Sequence, residues 1–163
     1  MRIRSRVTAG QESVPIAMLA GCIVVAGLLA SCAKEDPSTD VNLTPVTFPN
    51  GTRMTAEAVH GDFEMARGMM FRTSLPADRG MLFTHPKEAK YQYWMFQTKI
   101  PLDIIWMDRE HKIVEISPNT PPCTGGAGDC PKYGGNQPSS FVLEVNAGVA
   151  AKNNLKPGDL IDF

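Results

Sequence analysis

Residues 102–107, LDIIWM, carry one of the clearest strand signals in this chain of 163 residues. The segment is rich in branched and aromatic side chains, which favour a pleated sheet. Residues 91–95, YQYWM, have the same character, and a polar turn at 108–111 leads into a further strand at 113–116, IVEI. The folded part of the protein is therefore predicted to be built around β-strands that follow one another closely.

The segments before this region predict a hairpin and a helix. Residues 46–48 and 53–59 flank Asn50-Gly51, a dipeptide typical of the tight turn between two paired strands. Asp62 is expected to cap a first short helix that runs to Met70, because the apolar residues there recur at helical spacing.

The remaining elements complete the predicted fold. They are a buried strand at 81–83, a helical turn at 87–90, a long loop at 118–139, a strand at 141–145 and a short helix from a capping Asn146 to Asn153. Strands outnumber helices and most connections are short. We therefore predict an α+β fold that is mainly β, a small antiparallel, barrel-like β domain with two short helices.

The N-terminal segment resembles a bacterial lipoprotein signal peptide. Three arginines at positions 2, 4 and 6 precede an apolar run at 14–30, and Leu29-Ala30-Ser31-Cys32 closes it. We predict a signal peptide at 1–31, a lipidated Cys32 that begins a flexible polar tether at 32–42, and one globular domain at 43–163. A membrane-spanning helix of minimal length and cleavage before Cys22 are the alternatives.

The predicted anchor implies a cell-envelope protein. Two or more acyl chains, palmitate among them, hold a protein stably on a membrane. Ala33 follows Cys32 at a position where aspartate retains many Gram-negative lipoproteins at the inner membrane, so the periplasmic face of the outer membrane is favoured. Removal of residues 1–31 takes away three Arg and one Glu, which moves the formal net charge from -1 to -3. An acidic domain without a basic stripe argues against nucleic acid as a partner.

Cys123 and Cys130 are predicted to form a disulfide. They flank a short Gly-rich segment, and thiols that reach an oxidising envelope normally pair. A metal site is the alternative, but two thiols are half of a tetrahedral zinc set and no His-x-x-His or second Cys pair lies nearby. No metal and no cofactor are predicted.

Several short motifs follow one another in a recognisable order. They are RGMMFR at 67–72, LPADRGMLF at 75–83, YWM at 93–95, IPLDII at 100–105, VLEVNAG at 142–148 and PGD at 157–159. Together they resemble the family known as domain of unknown function 192, from about residue 50 to the C-terminus. The resemblance implies a fold group and no particular reaction. The family usually has Lys-Asn where this chain has Phe96-Gln97, and the Cys-bearing loop is an addition to the common pattern.

Asp103 is the first candidate site residue, because a carboxylate inside an apolar strand is costly unless it is paired or hydrogen-bonded. One reading is an ion pair with a nearby arginine. The other is a ligand pocket formed by Trp94, Gln97, Asp103 and Arg72, in which Trp94 stacks on a sugar or another flat ligand.

Glu144 is the second candidate, on the opposite strand face to Leu143 and Val145. Its simplest environment is solvent or an arginine. If Glu144 and Asp103 faced each other, they could act as acid and base on a glycosidic bond. The three histidines are expected to be scattered surface residues, and the many methionines to be core residues rather than a copper site.

These observations leave two functions open besides a purely structural or assembly role. The favoured one is a non-enzymatic envelope domain that binds a small ligand, a glycan or a protein partner and is anchored to a membrane by lipid. The alternative is a hydrolase of envelope polysaccharide that uses the carboxylate pair, so enzymatic activity stays undecided.

Overall fold

The computed structural model describes residues 42–163, which form one compact unit. The mainly β prediction with two short helices is confirmed. In chain order the elements are β1 (Leu43–Thr47), β2 (Arg53–Val59), α1 (Asp62–Arg67), β3 (Arg79–Ala89), β4 (Tyr93–Trp94), β5 (Leu102–Met107), β6 (Ile113–Thr120), β7 (Lys132–Tyr133), β8 (Ser139–Asn146) and α2 (Val149–Lys152).

The main sheet has six strands in the order β1-β2-β3-β8-β5-β6, and β4 pairs with β7 in a separate two-stranded sheet. Neighbouring strands are antiparallel except for β2 and β3, which are parallel and joined through α1. The C-terminal segment links the two edges of the main sheet, because Asp162 bridges to Thr47 of β1 and Leu160 bridges to Lys112 beside β6. This link makes the open sheet barrel-like.

Both faces of the central strands are covered by apolar side chains. All six residues of β5 are buried, which explains why its sequence is almost continuously apolar instead of alternating. The first face cluster includes Ile105, Met107, Leu143, Val145, Leu82 and Ala150. The second face cluster includes Leu102, Ile104, Trp106, Val142, Phe83, Met95 and Met69.

Several local predictions were wrong in their boundaries. The first helix ends at Arg67 rather than Met70, because Gly68 takes a φ of 43°, which favours glycine and turns the chain out of the helix. Its N-cap is Gly61, so Asp62 does not cap it with a side-chain hydrogen bond.

Two further predictions were overridden by contacts between distant segments. The helical turn expected at 87–90 is instead the end of β3, where Ala89 pairs with Ser139 of β8. The second helix begins at Val149, and Asn146 donates its side-chain amide to the carbonyl oxygen of Leu75 at 2.9 Å instead of capping that helix.

The predictions about the N-terminal segment concern residues outside the described part of the chain. They are the signal peptide, the lipidated Cys32 and most of the tether. Within residues 42–163, none of the helices has the length and apolar character needed to cross a bilayer.

Candidate functional site

Asp103 has a structural environment. Its carboxylate accepts hydrogen bonds from two backbone N–H groups, that of Ala150 at 2.7 Å and that of Asn119 at 2.8 Å. The side chain therefore joins β5 to the first turn of α2 and to the end of β6. It forms no salt bridge within residues 42–163, so the expected arginine pair is wrong. Backbone amides supply the hydrogen bonds that a buried carboxylate requires.

Glu144 has the opposite kind of environment. It lies on β8 between Met81 of β3 and Ile104 of β5, its side chain is on the face of the second cluster, and the residue is only 4% exposed. Its Oε2 atom has no hydrogen-bond partner within the described residues. Burial raises the pKa of Glu144 from 4.5 to about 8, although the positive charge of Arg72 opposes the rise. The predicted solvent-facing or arginine-paired position is wrong.

The two candidate carboxylates are on opposite sides of the main sheet. Ile105 of β5 and Leu143 of β8 belong to the first face cluster, whereas their sequence neighbours Ile104 and Val142 belong to the second. Asp103 is two residues from Ile105 and shares the face of the first cluster, whereas Glu144 is two residues from Val142 and shares the face of the second. Asp103 and Glu144 therefore do not face each other as an acid and base pair requires, because the packed sheet lies between them.

Glu144 lies at a small cavity of about 30 Å³ between α1, the turn that follows it, and the segment around β4. The lining is mostly apolar and contains a single carboxyl group. It consists of Met65, Ala66, Arg67, Gly68, Met69, Met70, Phe83, Tyr93, Trp94, Phe96, Thr98 and Glu144. A cavity of this size holds one water-sized chemical group and no ring.

Trp94 and Phe96 form an aromatic pair beside this cavity. Their ring centroids are 5.2 Å apart and their planes are tilted by 37°. Lys132 of β7 places its Nζ atom 3.8 Å from the centroid of the Trp94 ring, which is a cation–π contact. Trp94 therefore lines the same cavity as Glu144, an association that the sequence did not suggest.

The disulfide between Cys123 and Cys130 is confirmed. It holds the segment that carries the aromatic pair, because the Gln97 N–H donates to the Cys123 carbonyl at 2.8 Å and the Cys123 N–H donates to the Met95 carbonyl at 3.2 Å. Gln97 also accepts a hydrogen bond from the Phe71 N–H at 2.8 Å. Gln97 therefore contributes to the site through its backbone.

Arg72 belongs to a neighbouring groove. Its guanidinium group holds the Glu57 carboxylate through two hydrogen bonds of 2.6 and 2.5 Å. The groove has a volume of about 750 Å³ and shares Arg67, Gly68 and Met70 with the cavity of Glu144. Arg72 and Trp94 therefore do not line one pocket, and the charge of Arg72 reaches the Glu144 site only through space.

A polar contact that sequence reasoning missed lies beside Glu144. The Tyr93 hydroxyl and His85 Nε2 are 3.1 Å apart, and the His85 ring stacks on Tyr91 with 3.5 Å between centroids. Burial raises the pKa of Tyr93, with a smaller contribution from the nearby Glu144, and burial lowers the pKa of His85. His85 lies in the stretch of β3 where the register with β8 shifts, so strand alternation gave no sequence signal for its contact with Tyr93.

No group of three or more His, Cys, Asp or Glu side chains suited to a metal ion lies within residues 42–163. The fold and the cavity define a mainly β domain in which the buried carboxyl group of Glu144 and an aromatic pair line the same small cavity.

The chain belongs to the DUF192 family, described as an uncharacterised conserved group, whose family model matches residues 46–163. A protein of unknown function from Novosphingobium aromaticivorans DSM 12444 has a similar structure, with 31% identity, a TM-score of 0.65 and coverage of 78% of this chain and 89% of that one. A protein of Sinorhizobium meliloti 1021, described as a candidate transcription regulator, shares 26% identity and a TM-score of 0.64 over 72% of this chain and 89% of its own. No curated protein matches the chain significantly.

Proposed function

We propose that this protein is a non-enzymatic binding domain of the bacterial cell envelope and that the Glu144 cavity is its ligand site. The lipid anchor at Cys32 would hold it on the periplasmic face of a membrane, with the outer membrane favoured. The observation that carries the ligand site is that Glu144 lines the cavity and that its buried Oε2 atom has no hydrogen-bond partner within the described residues. A buried polar atom without a partner is costly, so a ligand group that hydrogen-bonds to it gains free energy.

The chemistry of the site favours a neutral, hydroxyl- or amide-bearing ligand. Because the pKa of Glu144 is raised to about 8, the carboxyl group is largely protonated at pH 7 and can both donate and accept a hydrogen bond. The cavity admits one hydroxyl or amide group, while a ring would stay outside against Trp94 and Phe96. A glycan or a small envelope metabolite has this combination of groups.

The hydrolase alternative has less support. Acid and base catalysis on a glycosidic bond needs a second carboxylate across the bond, and Asp103 is on the other side of the sheet. Glu57, a carboxylate of the neighbouring groove, is held by two hydrogen bonds from Arg72. Within the described residues, Glu144 is the single carboxyl group of the cavity lining.

The binding experiment compares the mature protein with Glu144→Leu in a thermal-shift screen of glycans, metals and envelope metabolites, followed by calorimetry. A ligand of the Glu144 site should bind the variant about fivefold to tenfold more weakly, which corresponds to one lost hydrogen bond. Glu110→Gln, a change at an exposed glutamate without a salt bridge in the described residues, is the matched control and should bind as the parent does. Equal affinity for the parent and Glu144→Leu would rule the cavity out as the ligand site.

The anchoring experiment follows labelled fatty acid into the protein during growth in a bacterial host. Cys32→Ala should abolish incorporation. Cys22→Ala should leave it unchanged, because Cys22 lies inside the predicted signal peptide. Incorporation that depends on Cys22, or no incorporation, would contradict the proposed address.

A further inference from the structure

Exposed apolar side chains cluster on one side of α1. In the part of the chain that the structure describes, four large apolar residues are half exposed or more: Leu43 at 50%, Phe63 at 73%, Phe71 at 56% and Leu160 at 57%. Phe63 and Phe71 line the same groove of about 750 Å³. Two exposed phenylalanines on one groove form an apolar surface of the kind that marks a contact site.

The chain enters the domain at this groove. Asn42, the first described residue, lines it, and the Ala58 N–H donates to the Asn42 carbonyl oxygen at 2.7 Å. The exposed Leu43 follows directly and pairs with Glu57, another residue of the groove wall. Three of the four exposed apolar residues therefore surround the point where the preceding segment is attached.

The length of that segment limits how far the groove can lie from a membrane. This step rests on the proposed lipid anchor at Cys32. Asn42 lies ten positions after Cys32, so the two residues are at most about 35 Å apart when the chain is fully extended. A flexible chain of that length spans on average about 17 Å, which is less than the diameter of a domain of this size. The groove is therefore the part of the domain that the anchor holds nearest to the bilayer.

We infer that the groove beside α1 is a membrane-contacting face, with Phe63 and Phe71 entering the headgroup region of the lipid layer that carries the anchor. Aromatic side chains partition into this region, and cationic side chains beside them contact lipid phosphates. Arg67 is exposed on the groove wall between the two phenylalanines in sequence and supplies such a cation. Contact with lipid would cover the apolar surface and orient the Glu144 cavity, which shares Arg67, Gly68 and Met70 with the groove.

The experiment uses the full lipidated protein reconstituted into vesicles whose acyl chains carry bromine, which quenches tryptophan near the bilayer. Phe63→Trp and Phe71→Trp report from the groove. Leu160→Trp is the matched control, because Leu160 is equally exposed but does not line the groove. The signal of the native Trp94 and Trp106 is subtracted with the parent protein.

The inference predicts that emission from positions 63 and 71 is quenched about threefold more than emission from position 160, since interfacial groups lie within about 5 to 10 Å of the acyl boundary. Equal quenching at all three positions would overturn it. Protection of positions 63 and 71 in a dimer that forms without vesicles would also overturn it and assign the surface to a second copy. If the protein fails to float with vesicles at all, the proposed anchor fails instead, so the two failures are distinguishable.

Discussion

Replacement of Glu144 by glutamine should change how the stability of the domain depends on pH. Burial raises the pKa of Glu144 in the folded state from 4.5 to about 8, so the folded state binds this proton more tightly than the unfolded state does. The associated stability is fully present below pH 4.5 and is lost as the pH rises toward 8. Each pH unit in this window removes up to about 1.4 kcal/mol, and the whole window removes up to about 5 kcal/mol.

This loss is large for a domain whose total free energy of unfolding is about 5 to 15 kcal/mol. Glu144→Gln keeps the neutral shape of the protonated side chain and cannot titrate. The difference in unfolding free energy between the variant and the parent should therefore be flat below pH 4.5 and grow steadily between pH 5 and 8. The lowered pKa of His85 gives an opposite slope at acidic pH, but it is present in both proteins and cancels in the difference.

The assay is urea unfolding at pH 5, 6, 7 and 8, followed by tryptophan fluorescence with the disulfide intact. Glu110→Gln, at an exposed glutamate whose side chain has no partner within the described residues, controls for the substitution itself. If the free energies of Glu144→Gln and of the parent ran parallel across this range, the folded-state carboxyl group would have an ordinary pKa. It would then be solvated or paired, and the argument for an unpartnered group in a ligand cavity would fail.

Three further changes test other parts of the structure. Cys130→Ser removes the disulfide to Cys123 and should lower the unfolding free energy by about 2.5 kcal/mol by the loop-entropy relation. If the urea midpoint of the parent protein did not change with reductant, the disulfide would be contradicted. Asp103→Asn should lower the unfolding free energy by about 2 to 3 kcal/mol, because the carboxylate that accepts from two backbone amides is lost. Ligand affinity should stay unchanged. Weaker binding by a fully stable variant would show that Asp103 belongs to the ligand site. Arg72→Met removes a positive charge that lowers the pKa of Glu144, so that pKa should rise further in a carbon-13 NMR titration, and a fall would refute the through-space coupling.

The hairpin and the disulfide show what short stretches of sequence determine. Asn50-Gly51 predicted the turn, and β1 and β2 pair across it as expected. Cys123 and Cys130 are close together along the chain, so their disulfide could be predicted from the local sequence. The strand character of 102–107 and 113–116 was equally visible, because composition reports local preference directly.

The elements that the sequence did not predict correctly depend on pairing partners that are distant in sequence. Residues 87–89 extend β3 because β8, some fifty residues later, supplies the pairing. The parallel arrangement of β2 and β3 and the bridges of the C-terminal segment also have no local signature. Local propensity loses in such places to hydrogen bonds and burial that only the assembled sheet provides.

By itself, the sequence determined that the domain is mainly β, that one disulfide closes a loop, and that Asp103 and Glu144 are carboxylates within apolar strands. Only the tertiary structure decided their roles. Alternation along each strand fixes which residues share a face, but the packing of distant segments fixes what covers that face. Backbone amides of α2 and β6 meet Asp103, whereas apolar side chains cover Glu144 and leave one of its oxygens without a partner.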